Sequence, residues 1–340
     1  MRKLNMADAL NEAHRIAMRE DPHVFAIGED IGDYGGVYRV TKGLLNEFGK
    51  DRVRDTPISE AVIVGGSVGA ALVGCRPILE IGFVDFVGTC WDQILNQAAK
   101  IRYMSGGRAS VPLVMRMACG AGLGYGVHHS QSLEAFFTHI PGIKVVMPAF
   151  PEDAKGLLLA AIKDDDPVAL MEHKLLYYYR DIVPDGYYET PIGKAKVRRE
   201  GKDVTIVAWS RAVHWALAQA AEAEKVGIDC EVLDLRSLVP MDEGAIQRSV
   251  SKTGRLIVCH EACRTGGFGG EIVSRVVEKS FDFLVTPPVR VAAPDIPVPN
   301  SIPLEKVYLQ TEEKLSEAIM QVCSVVHRPA RFPKKERKSQ

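Results

Sequence analysis

The sequence predicts an α/β protein of two domains, each built on a mainly parallel sheet with helices on both faces. Three observations carry that prediction. Short apolar runs alternate with longer helical segments along nearly the whole chain. The runs are apolar almost throughout, as strands buried on both faces must be. The alternation lapses once, from about residue 176 to 199, where Tyr, Gly, Pro and charged residues replace any period, and then restarts. The 340 residues suffice for two cores, and the lapse puts domains at 1–190 and 191–327.

In chain order, Asn5 with Asp8 three positions on, followed by Leu10, Ala13, Ile16 and Ala17, reads as a capped helix start. Residues 24–30 form a buried strand whose carboxyl end carries Glu29 and Asp30. A helix is expected over 59–74: Thr56 or Ser59 suits its cap, Pro57 its first turn, and Gly74 with Pro77 its stop. This helix is apolar nearly all round, so burial on every side is expected, within a core or against another chain. A segment over 77–86 precedes a helix from Trp91 to about Tyr103. Further strands are expected at 111–117, 143–148 and 168–172, the last two joined by a helix over 151–162. Beyond the lapse, strands at 204–209, 230–234, 256–260 and 289–291 alternate with helices at 211–225, 242–250 and 266–279. A proline-rich stretch over 294–303 is expected to wrap the surface before a closing helix at 311–325. Residues 328–340 carry six basic side chains against one acid and are expected to form a loose tail.

A formal net charge of -1 provides no global attraction to nucleic acid or to an anionic membrane. Seven cysteines without paired spacing fit a reducing compartment better than a disulfide framework. Cys259, His260, Glu261 and Cys263 resemble metal ligands, but they follow the apolar run at 256–258, and strand-end packing accounts for them. No apolar run reaches membrane-spanning length and the first residues make no secretion signal, so a cytoplasmic, unprocessed protein is expected.

Three glycine-rich stretches invite a phosphate-binding reading. None has Gly-x-Gly-x-x-Gly spacing with an acid at the next strand, and no Gly-Lys precedes Ser or Thr. The run at 120–126 is instead expected to let the backbone lie close to another chain or a ligand. Residues 65–69 match Gly-x-Ser-x-Gly, the nucleophile elbow of α/β hydrolases, which makes a serine esterase using Ser67 the rival function. Against it, no His-Gly-Gly oxyanion segment lies upstream, and small residues at 65, 66, 67 and 69 suit close helix packing equally well. Glu60, the only ionisable residue of its helix, has two readings: a first-turn acid favoured by the helix dipole, or a carboxyl group kept dry for proton chemistry. His128 and His129, after the glycine run, are candidates for acid-base work or for simple loop hydrogen bonding.

Several long, collinear motifs resemble the beta subunits of the thiamine-diphosphate-dependent 2-oxo acid dehydrogenases and the related acetoin dehydrogenases. They include Gly28-Glu29-Asp30, residues 52–60 around Thr56-Pro57-Ile58-Ser59-Glu60, residues 92–100, and His129-Ser130-Gln131. Residues 141–146, 152–156, 229–238, His260-Glu261-Ala262 and the glycine-rich 265–272 continue the match in one register from about 4 to 325.

The resemblance implies a pyrimidine-binding-type thiamine diphosphate domain followed by a transketolase C-terminal-like domain. It implies that Glu60 hydrogen-bonds the cofactor's pyrimidine ring nitrogen, that Phe86 packs on that ring, and that His129 faces the substrate and an incoming lipoyl group; His128 receives no role. Main-chain oxygens of Leu113, Ala161, Ile162, Asp164 and Asp166 match a potassium site of the family. The sequence has no Gly-Asp-Gly segment of the kind that anchors magnesium and the diphosphate, so an alpha subunit is expected to supply it. An alpha2beta2 heterotetramer docked on a lipoyl acyltransferase core follows from the same resemblance. The substrate would be acetoin, pyruvate or a branched-chain 2-oxo acid, with residues 83–100 most like the acetoin type.

Overall fold

The computed structural model describes residues 2–309 and 311–324; the basic segment 328–340 lies outside them. The alternation read from the sequence becomes two sheets. The larger has seven strands in the order Ser237–Val239, Lys144–Val146, Val168–His173, Val114–Cys119, Arg76–Ile81, Val24–Gly28 and Val53–Asp55. All its pairings are parallel except the one between Ser237–Val239 and Lys144–Val146. The smaller has five strands in the order Val289–Ala293, Leu256–Cys263, Val204–Ala208, Cys230–Asp234 and Lys196–Arg199, the last antiparallel.

Helices Met6–Glu20 and Pro151–Lys163 pack against each other on one side of the larger sheet. Asn5 caps the first as expected, its side-chain oxygen accepting from the Asp8 backbone N–H at 2.7 Å. Glu60–Leu72 and the helical turns that follow Ile81 belong to a separate apolar cluster. That cluster runs without a break from Ile63 and Val64 to Trp209, Leu233 and Ile272, so the two sheets share one core. The second half also contributes strand Ser237–Val239 to the first sheet. No helix among the described residues is long and apolar enough to cross a membrane.

Four local expectations are corrected. The stretch expected to be irregular contains strand Arg180–Val183, paired with Arg2–Asn5, and strand Lys196–Arg199. The helix expected from Trp91 to about Tyr103 is broken into a π turn over Gln93–Ala98 and an α turn over Ile101–Met104, and 3-10 geometry over Val84–Cys90 precedes it. The surface proline stretch leads into a helix, Ile302–Leu309, with Pro303 in its first turn. Pro57 lies ahead of helix Glu60–Leu72 rather than inside it, and Ser59 occupies the cap position without a side-chain hydrogen bond. Gly74 ends that helix at φ 100, a left-handed conformation that L side chains resist.

Candidate active site

Four neighbouring parallel strands, Val53–Asp55, Val24–Gly28, Arg76–Ile81 and Val114–Cys119, end on the same edge of the larger sheet. The segments leaving those ends carry Glu60, Glu29, Phe86 and His129 respectively. Ligands of open parallel sheets bind in the crevice beyond such carboxyl ends, so topology alone gathers these four residues.

Glu60 is 8% exposed. The Thr89 hydroxyl lies 3.1 Å from its Oε2 and 2.8 Å from the Phe86 carbonyl oxygen; having one hydrogen, it donates to one of them at a time. Thr89 thus ties Glu60 to the turn that carries Phe86. Glu29 is the residue the sequence reading left without a role. Burial, and then the neighbouring Glu60 carboxylate, raise its carboxyl above the ordinary 4.5, while the Ser59 backbone N–H pulls the other way. Its Oε1 is buried with no partner among the described residues. Two neighbouring carboxyl groups of like charge disfavour the anion at Glu29. The Gly-Glu-Asp at a strand's carboxyl end was the available signal for Glu29; nothing in the sequence marks Thr89.

His129 stands edge-on to two rings, Phe83 at 4.8 Å and Phe86 at 5.4 Å, both at 86°. Its loop is closed at the base, where the Gly120 N–H donates to Gln131 O at 2.9 Å. Gln131 in turn donates through its backbone N–H and its side-chain amide to Asp85 Oδ1 at 3.1 and 2.9 Å. Lys174 Nζ donates to the His129 carbonyl. Lys174 is buried beside the Phe83 and Tyr125 rings, and that burial lowers its pKa. Glu60, Phe86 and His129 are therefore brought together, while His128 is exposed.

The buried Glu60 with the half-buried Glu29 beside it, and the aromatic wall, suit a flat heteroaromatic ring with a protonatable nitrogen, so these residues fit the pyrimidine half of thiamine diphosphate. The potassium expectation fares differently. Arg76 Nη1 donates to Ile162 O at 3.0 Å and to Asp164 O at 3.1 Å, placing a guanidinium on two of the five carbonyls. Leu113 O accepts from Val168 N–H, Ala161 O accepts from Asp164 N–H, and the Asp166 carboxylate pairs with Arg102 and Lys144. A second cation at those oxygens would face the Arg76 charge at close range, so these residues as arranged do not fit potassium.

One further expectation is corrected. Ser67 lies within helix Glu60–Leu72, is fully buried, and donates to Ile63 O at 2.6 Å. A nucleophile elbow needs a strand-to-helix turn with an exposed hydroxyl, so the esterase reading fails. The glycine run at 120–126 packs against the protein's own residues 300–305, contacts that no local pattern announces. Glu261, from the cluster resembling metal ligands, pairs with His173 at 2.8 Å.

Comparison with known proteins gives the family. Residues 2–180 match the transketolase pyrimidine binding domain and residues 193–315 the transketolase C-terminal domain. The chain is 48% identical over 333 residues to the beta subunit of acetoin:2,6-dichlorophenolindophenol oxidoreductase of Bacillus subtilis, covering 94% of this chain and 97% of that one. It is 44% identical to the mitochondrial pyruvate dehydrogenase E1 component subunit beta-2 of Oryza sativa, covering 95% and 87%. It is 42% identical to the 2-oxoisovalerate dehydrogenase subunit beta of Bacillus subtilis, covering 95% and 99%. A solved split-gene transketolase, an inactive beta4 tetramer, shares the fold at 22% identity with a TM-score of 0.76, covering 95% of this chain and all of that one. The chain belongs to the transketolase-like family of beta subunits of the acetoin, pyruvate and 2-oxo acid dehydrogenases.

Proposed function

We propose that this chain is the beta subunit of a thiamine-diphosphate-dependent dehydrogenase component, that it holds the pyrimidine half of the cofactor, and that an alpha subunit supplies the magnesium-diphosphate half. The observation that carries the reading is the buried Glu60 carboxylate, joined through Thr89 to the Phe86 turn, with His129 on the ring beside it. When bound, the cofactor supplies the carbon nucleophile and electron sink that cleave a bond next to a carbonyl. Glu60 holds a proton at the pyrimidine ring nitrogen, and Glu29 beside it favours keeping that proton in the site. Phe86 would pack on the ring, and His129 would face the substrate and the lipoyl acceptor, where it could give or take a proton.

Acetoin is the substrate we favour, because the acetoin relatives of Bacillus subtilis and Cupriavidus necator share 48% and 46% identity with the chain. Two alpha and two beta chains would assemble in the cytoplasm on a lipoyl acyltransferase core. The helix after Glu60 supports an interface there: Val62 and Leu72 are 61% and 45% exposed, Val73 just beyond is 82% exposed, and Gly66 and Gly69 have open space over their Cα atoms. The expected burial of that helix on every side would then be completed by a partner. The domain boundary near residue 190 belongs to the same reading.

The test is calorimetric titration of thiamine diphosphate with magnesium into the purified chain, with and without the alpha partner. The pyrimidine pocket alone offers stacking and a few hydrogen bonds, too little to offset the entropy of association. Tight binding is expected only with the partner. Micromolar binding and acetoin turnover by this chain alone would refute the split site.

A further inference from the structure

The loop over residues 120–131 presents His129, and its glycines at 120, 122, 124 and 126 all have positive φ, from 68 to 110°. Backbone of that kind turns successive N–H groups to one side and makes a concavity that attracts anions. Here the concavity is filled from the far end of the chain. Glu305, on helix Ile302–Leu309, accepts from the Gly122 N–H through Oε1 and from the Gly124 N–H through Oε2, each at 2.8 Å. Glu261 accepts from the neighbouring Ala121 N–H at 2.5 Å.

The fit is close. A Cβ at Gly124 would lie 2.9 Å from Ile302 Cγ1, and one at Gly122 would lie 2.8 Å from Arg211 Nη1. Glu305 is 2% exposed, too dry for an exposed acid that happens to find two amides. A buried carboxylate with both oxygens committed to N–H donors forms the stronger, charge-assisted kind of hydrogen bond. The opposite flank is held by Lys174 on the His129 carbonyl and by Asp85 on Gln131.

We propose that Glu305 is a positioning residue: its carboxylate clamps the glycine loop and so fixes where His129 stands, making the C-terminal half a structural part of the active site. The proposal rests on the reading of His129 given above. Glu305→Gln keeps the size but sets an amide NH2 against one of the two N–H groups, whereas Glu305→Asp keeps the charge on a shorter arm. Both variants are measured in the assembled alpha-beta enzyme, with His129→Ala beside them, using acetoin and 2,6-dichlorophenolindophenol as substrate and acceptor.

Glu305→Gln is expected to speed hydrogen exchange of the amides over 120–131 by about tenfold or more. It should lower kcat/KM on the order of ten- to a hundredfold, as displacement of a reacting group does, while leaving thiamine diphosphate affinity unchanged. Glu305→Asp is expected to recover part of both effects. Unchanged loop exchange in Glu305→Gln overturns the proposal, as does a loosened loop with full kcat/KM when His129→Ala is impaired. The His129 reading fails separately if His129→Ala keeps full kcat/KM, and loop exchange alone then decides for or against the clamp. Should Glu305→Gln not assemble, Glu305→Asp decides by the same two readouts.

Discussion

Glu134 opens the short helix Glu134–Thr138 and is almost wholly buried, with Oε1 accepting from the Trp209 indole N–H at 3.2 Å and Oε2 buried without a partner among the described residues. Burial raises its carboxyl from 4.5 to about 7. A folded-state pKa above the unfolded one means that the native protein keeps a proton the unfolded chain would release. The stabilising contribution is therefore fully present below about pH 4.5 and is lost as pH rises through about 7. At 1.36 kcal/mol per pH unit, the gap between 4.5 and about 7 is worth about 3 kcal/mol as an upper bound. Glu134→Gln keeps the acceptor for Trp209 and removes the titration. Its NH2 would replace an oxygen that already lacks a partner, a cost that does not vary with pH. His260, stacked on Trp209 at 5.1 Å and lowered to about 4 by burial, acts in the opposite sense as pH falls, and it is common to both proteins. The measurement is the thermal midpoint from pH 5 to 8 for both proteins in matched buffers. Relative to Glu134→Gln, the parent should lose on the order of 5 °C across that range. Two curves that run parallel would show that Glu134 is ionised in the fold throughout, and would refute the burial argument.

Glu60→Gln should fold and assemble yet turn over roughly 100-fold more slowly or worse, because the amide cannot share a proton as the carboxyl does; near-normal turnover would remove Glu60 from the chemistry. Ser67→Ala should retain activity and the parent should resist a fluorophosphonate probe, whereas stoichiometric labelling at Ser67 would restore the esterase reading. Arg116 is buried and paired with Glu172 at 2.8 and 2.6 Å and with Glu80 at 2.6 Å. Arg116→Leu leaves Glu80 and Glu172 without their cation, Glu172 keeping only the Tyr177 hydroxyl at 2.6 Å, and should cost about 3–5 kcal/mol by chemical denaturation, against little loss if the pairs are dispensable.

What the sequence made legible was local or periodic. The Asn5 cap depends on a residue three positions away, and the alternation of strand and helix depends on patterns a few residues long. Strand Arg180–Val183 was missed because it is an edge strand with charged residues at Arg180 and Asp181, and its partner Arg2–Asn5 lies about 180 residues away. Ser237–Val239 was missed for a similar reason, since three residues crossing to another sheet leave no period to read. The breaks between residues 84 and 104 have no residue that announces them. Proline at 303 was read as a surface marker, although in a first helical turn it suits the helix.

The site divides along the same line. Glu60, Phe86 and His129 could be named one by one from their motifs, but only the strand order explains why they meet, because each follows the carboxyl end of a neighbouring strand. The glycine run shows where local reading stops. The sequence suggested close backbone approach there, whereas the fold turns the exposed N–H groups toward an anion. The anion is a carboxylate 180 residues downstream, and no local pattern could supply it. A partner binding the apolar face of helix Glu60–Leu72 would bear on the segment that carries Glu60, while Glu305 holds the loop that carries His129. Neither half of the crevice is then set by the first domain alone, and its geometry should respond to changes on surfaces that never touch the cofactor.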